Sequence, residues 1–219
     1  MLGVTLALDI LLLSVDPGLR IVREREHTGY AMRAADLIEL TVARRVQTQG
    51  SWLKWVHVLD ARPTGEPLLD ASLASLATAR KRVDASTWMC RQPGRGVVTD
   101  GLVLLEAQEA VHLYTRRLNS RLTHIEPALL DPARQARVRA RLDRFSAAGA
   151  AADVLDWALA GLVHECDLWI PGHYDRAAQR TYKEAARGQR GTDPADPVEA
   201  TIRVLMRAAH NARNVDLNG

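Results

Sequence analysis

TGYAMRAADLIELTVARRV, from Thr28 to Val46, decides how the rest of the chain is read. Ala31, Ala34, Ala35, Ile38 and Val42 fall on one face at helical spacing, and Met32, Leu37, Leu40, Ala43 and Val46 carry the apolar arc well around the axis. A helix that is apolar over so much of its circumference belongs in a core, with Thr28 as its expected N-cap. Arg33, Asp36 and Glu39 interrupt it at intervals of three, so they align as one narrow polar seam. Two readings of Arg33 stand side by side. It forms an ion pair with Asp36 or Glu39 that orients the helix, or it floors an anion site.

The 219 residues, 47% of them apolar, are enough for one well-buried core. No repeat or low-complexity tract divides them, so 1–219 reads as a single domain. A formal charge of +3 and a pI near 9.1 suit a phosphate or membrane-surface partner. They fall short of the charge density of a dedicated nucleic-acid binder, so nucleic acid is not the expected partner. Lys54, Lys81 and Lys183 are the only lysines. The arginine bias favours bidentate grip on phosphate, and it equally follows from the composition of a GC-rich bacterial genome. Two cysteines, Cys90 and Cys166, make no disulfide framework and point to a reducing cytosol. Leu2 to Val15 is strongly apolar, but it carries Asp9, lacks a basic leader and is shorter than the ~20 residues of a membrane span. It reads as a buried helix begun by Thr5.

Asp16, Pro17 and Gly18 make a turn, followed by a brief strand over Leu19–Val22. Trp52 to Leu59 alternates as a strand, and Pro67 launches an amphipathic helix to about Ala79. A loop from Gln92 to Gly96 carries Arg95, and helical spacing resumes from Val97 to Ala110. VHLYT at 111–115 and RLTHI at 121–125 form a hairpin whose tip is Arg116, Arg117, Leu118, Asn119 and Ser120. Its symmetric register sets His112 against His124 and Leu113 against Thr123. From Pro132 a helix turns Val138, Leu142 and Phe145 inward and the row Arg134, Arg137, Arg141 and Arg144 outward. Helices over Val154–His164, Arg176–Arg187 and Val198–Arg213 complete the chain, with QRGTDPAD at Gln189–Asp196 as its most linker-like segment. The fold class is mainly α, with one hairpin and one or two short strands.

Motifs of catalysis are missing: there is no glycine-rich nucleotide loop, zinc spacing or serine elbow. No catalytic residue, metal or cofactor is therefore expected. His112 and His124 lack a third ligand nearby in sequence. His164, Glu165, Cys166 and Asp167 are neighbours in sequence that point in different directions on a helix.

At ALDILLL, MRAADLIEL and above all VHVLDARPTGEPLLDASL, the sequence resembles the Golgi phosphoprotein 3 family, as a bacterial member. The family's acidic-leucine helix, its central G-L-R-G-x-x-L-I-E-L-type helix and its P-T-G-[DE]-x-L-L-D turn occur in that order. Pro63 to Asp70 is the most specific match; the hairpin, Pro127 and the helix at Arg180–Arg187 continue it. The resemblance implies a mostly helical domain that docks on membranes by binding phosphatidylinositol 4-phosphate. A tryptophan before the central helix, an arginine at its start and two later arginines three apart hold the headgroup, while an apolar hairpin aids attachment and self-association.

Carried onto this chain, Arg33 matches the central-helix arginine and Arg95 the first of the later pair. The second becomes Val98 and the tryptophan becomes Glu24, with Arg23, Arg25 and Arg91 near enough to compensate. Arg33, Arg95 and Leu118 together supply about 4 to 5 kcal/mol, or roughly millimolar affinity, so avidity or a ligand that also engages the neighbouring arginines is needed. The expected function is a cytoplasmic anion-binding or peripheral module on the inner membrane face, with an anionic lipid headgroup or a phosphate-bearing small molecule as partner. The hairpin, through Arg116, Arg117 and Leu118, meets the bilayer or a second copy. Two other readings compete. Tyr30, His112, Tyr114, His124 and His164 fit a small-molecule enzyme or accessory protein of a bacterial biosynthetic pathway, and the hairpin fits a protein-interaction adaptor.

Overall fold

The computed structural model describes residues 5–49, 55–79, 83–91, 94–117, 123–148, 153–168, 176–186 and 197–216. Leu118 at the hairpin tip and the linker-like segment at 189–196 lie outside the described residues. The central helix, α2, spans Arg25–Val42, so Thr28 is inside its first turn; its hydroxyl donates to the Arg23 carbonyl at 3.0 Å. Ahead of it lie α1 (Leu6–Ser14), β1 (Val15–Asp16) and β2 (Ile21–Val22). After it come β3 (Val46–Gln49), β4 (Trp55–Val58), α3 (Pro67–Ala77), α4 (Ala85–Cys90) and α5 (Gly94–Ala107). The hairpin β5 (Val111–Arg117) and β6 (Thr123–Leu129) follows, then α6 (Pro132–Ala148), α7 (Val154–Glu165), α8 (Arg176–Ala186) and α9 (Pro197–Asp216).

Helix α2 packs against α1, α3, α4, α5, α7 and α9. Ala31, Met32, Ala34, Ala35, Leu37, Ile38 and Leu40 are wholly buried, as the broad apolar arc requires, whereas Val42 and Ala43, assigned to the same arc, lie exposed where the helix ends. Every residue of α1 is buried as well. Among the described residues no helix is long and apolar enough to cross a membrane. Thr5 caps α1 by accepting the Leu8 N–H at 3.3 Å, and a Glu39 oxygen, reaching over from α2, accepts the Leu6 N–H at 2.9 Å. Asp9, 2% exposed, is met by Arg141 of α6, whose Nε also donates to Asp156 of α7 at 2.5 Å. Arg141 thereby ties three helices together and leaves the solvent row in which its spacing placed it.

The P-T-G-E-P-L-L-D turn is a structural knot. The Asp70 carboxylate accepts from Thr64 N–H at 2.5 Å, Thr64 Oγ1 at 2.7 Å and Gly65 N–H at 3.1 Å. Gly65 adopts φ of +90°, where a side chain is strained, and Pro67 opens α3 at a position needing no N–H donor.

Three helices stop without glycine. Arg44, Glu109 and Asp167 follow α2, α5 and α7 in the left-handed region at φ 56°, 57° and 52°. The next residue's N–H closes each end, as Arg45 does onto the Leu40 carbonyl at 2.8 Å. Val46 therefore belongs to β3, which pairs antiparallel with β4, and α5 ends three residues before its spacing implied. Arg95 stands in the first turn of α5 instead of in a loop. The hairpin register also differs from the symmetric one: His112 opposes Ala128, and His124 opposes Arg116. The four-residue shift preserves side-chain parity while setting Val111 against Leu129 and Leu113 against Pro127, which the symmetric register leaves unpaired.

Burial raises the pKa of Glu39 to about 8 and that of Asp36 to about 7, against ordinary values near 4. The folded state then holds protons that the unfolded chain has already released. Their stabilising contribution is complete below about pH 4 and is lost as pH climbs towards 8. Chemical unfolding is expected to lose on the order of 5 kcal/mol between pH 5 and pH 9. Glu39→Gln, which keeps an oxygen for Leu6, is expected to flatten that decline; an unchanged slope contradicts the assignment.

Candidate functional site

The polar seam of α2 divides among three neighbours. Glu39 turns to α1; Asp36 accepts a 2.7 Å hydrogen bond from Ser72 Oγ of α3; Arg33 faces α4. Arg33 is 5% exposed, and its guanidinium carbon lies 5.4 Å from the centre of the Trp88 ring. Desolvated cation–π contacts of this kind contribute about 2 kcal/mol. Burial draws the Arg33 pKa down, while Asp36, Tyr30 and Asp100 of α5 hold it up.

Trp88 has its own support. Its indole N–H donates to Ser75 Oγ at 3.2 Å, and Asp84 starts α4 by accepting the Thr87 N–H at 3.0 Å. The sequence reading missed this tryptophan, although Asp84 three residues before Thr87 is a usable cap signal. An indole is therefore present beside Arg33, supplied by α4 instead of by the segment that precedes α2.

The other arginines divide unequally. Arg25, the first residue of α2, donates to Thr99 Oγ1 of α5 at 2.8 Å, which places it at the same α2–α5 junction. Arg91 follows Trp88 by one turn as the C-cap of α4 and is exposed. The backbone of Arg95 belongs to the first turn of α5; its side chain lies outside the described residues. Arg23 is drawn away to Asp16, bonded through Nε at 2.8 Å and Nη2 at 2.5 Å. Val98 is fully buried, so an apolar residue suits that position.

Glu24 takes the N-cap position of α2 with a left-handed φ of 43°, and its carboxylate lies 3.9 Å from His27. Hairpin residues are more scattered. Arg116 is 71% exposed and 3.9 Å from Glu126. Arg117 closes β5, with its side chain outside the described residues, as is Leu118. Tyr114 is half exposed, with the Arg20 guanidinium 5.3 Å from its ring centre and His112 edge-on at 4.6 Å. Tyr30 is buried in α2, and His164 lies away from the hairpin in a cleft beside α8.

The family model for Golgi phosphoprotein 3 (GPP34) matches residues 6–210. A comparison with curated proteins returned no match.

Replacing Glu24 by glycine removes both a left-handed side chain and a negative charge at the entrance to α2. Glu24→Gly is expected to raise unfolding stability by up to about 1 kcal/mol in a denaturant titration. An unchanged or lowered stability contradicts this role for Glu24.

Proposed function

Because the chain belongs to the Golgi phosphoprotein 3 family, we propose that it is a peripheral membrane module that receives an anionic lipid headgroup where α2, α4 and α5 meet. The observation that carries this reading is Arg33 stacked against Trp88, with Arg25 anchored at the same helix junction and exposed Arg91 one turn beyond the indole. Arg33 serves as the floor, held rigid by the ring. Arg91 and Arg95 serve as the rim, where guanidinium groups grip phosphate bidentately. A phosphoinositide headgroup, phosphatidylinositol 4-phosphate first, is the ligand we propose, met on the inner face of the membrane.

Attachment is reinforced by avidity. Each arginine close to an anionic surface contributes ~1 kcal/mol, too little for one subunit to remain bound. Copies joined through the hairpin that carries Arg116, Arg117 and Leu118 multiply the effect.

The test is co-sedimentation with phosphatidylcholine vesicles containing phosphatidylinositol 4-phosphate, at low and at physiological salt. Arg33 is too buried for a clean deletion, so the informative substitutions are Arg91→Glu and Arg25→Ala. Arg91→Glu changes the charge by two and is expected to weaken binding roughly tenfold to thirtyfold. Added salt is expected to weaken the unsubstituted protein. Absence of binding at low salt, or binding indifferent to both substitutions, overturns the proposal.

A further inference from the structure

A second basic concavity lies on the far side of α9. The Cys90 thiol of α4 donates to the Ala212 carbonyl at 3.8 Å on one flank of that helix. The next residue, Arg213, faces Asp167 at 3.8 Å and lines an open cleft of about 470 Å³ formed by α7, α8 and α9. That volume suits a small organic ligand.

Three cations from two helices border the cleft: Arg180 and Lys183, one turn apart on α8, and Arg213 on α9. Within the lining, Asp167 alone opposes them. Outside the lining, Glu165 is engaged by His210 Nδ1 at 3.1 Å, while Asn214 fixes the other ring nitrogen of His210 at 2.9 Å. Arg213 is 16% exposed, and its buried Nε makes no hydrogen bond among the described residues. Val163 and Leu168 supply an apolar wall. An excess of two positive charges matches a phosphate monoester, which carries close to two negative charges at neutral pH, better than a single carboxylate.

We infer that this cleft binds a phosphate-bearing ligand, with Arg180, Lys183 and Arg213 on the phosphate and Val163 and Leu168 against the remainder. His164, on the α7 side, offers a ring nitrogen as a further donor. This site shares no residue with the α2–α4–α5 junction, so either can fail without the other.

The experiment compares the full chain with an Arg180→Ala, Lys183→Ala double variant. Both side chains are exposed, and circular dichroism checks that the fold is kept. Arg207→Glu, an exposed α9 position outside the lining, alters net charge equally and serves as the charge-matched control. Inorganic pyrophosphate is titrated calorimetrically at low salt, and binding to phosphatidylcholine vesicles containing phosphatidic acid is measured in parallel. Pyrophosphate binding about tenfold or more weaker in the double variant, with the control unchanged, supports a soluble phosphate ligand. Loss of vesicle binding by the double variant alone, without pyrophosphate binding by either protein, supports a lipid phosphate. Equal behaviour of the double variant and the unsubstituted protein with both probes, or an equal loss in Arg207→Glu, overturns the inference.

Discussion

Burying α2 from Thr28 to Thr41 obliges the polar groups along that stretch to find partners inside the protein, and the rest of the fold is built around those partners. A buried carboxyl or guanidinium without compensation costs several kcal/mol. Glu39 is matched to the first N–H of α1, Asp36 to a serine hydroxyl of α3, and Arg33 to the face of an indole in α4. Burial raises the pKa of both acids, Glu39 to about 8 and Asp36 to about 7, while Asp36, Tyr30 and Asp100 support the charge of the arginine against burial. One helix thus fixes where three others dock, through polar contacts that specify register more sharply than apolar packing alone.

The same arrangement prepares the proposed site. Arg33 loses little further freedom when a ligand arrives, because Trp88 and the surrounding core have already ordered it. The mobile charges needed to capture an anion from solvent are left to the rim, where Arg91 is exposed. Asp9 and Arg141 do comparable work at a distance, joining α1, α6 and α7 so that an apparent row of surface arginines is partly internal. The second basic cleft lacks such a core foundation and depends on α8 lying against α7 and α9.

The core was the legible part of the chain. Apolar residues around more than half of a helix leave few alternatives to burial, and the arcs of α1 and α2 and the inward Val138, Leu142 and Phe145 read directly. Helix ends were less legible because Arg44, Glu109 and Asp167 occupy left-handed stops where glycine is the usual signal. The hairpin register escaped because both registers share side-chain parity, and only pairing with Pro127 and Leu129 separates them. The indole beside Arg33 escaped for a topological reason: Trp88 is 55 positions away in sequence, and nothing local links the two. The P-T-G-E-P-L-L-D stretch carried the family resemblance, and what its residues do in the structure is tie a turn.

The central claim is that Arg33 belongs to the core and to the ligand site at once. Arginine Nε–H signals followed by NMR during titration with glycerophosphoinositol 4-phosphate test it most directly. The account predicts that the Arg33 signal and the Trp88 indole signal shift together with those of Arg25 and Arg91 along one binding curve. Binding that leaves Arg33 and Trp88 unmoved, or no binding at all, contradicts it.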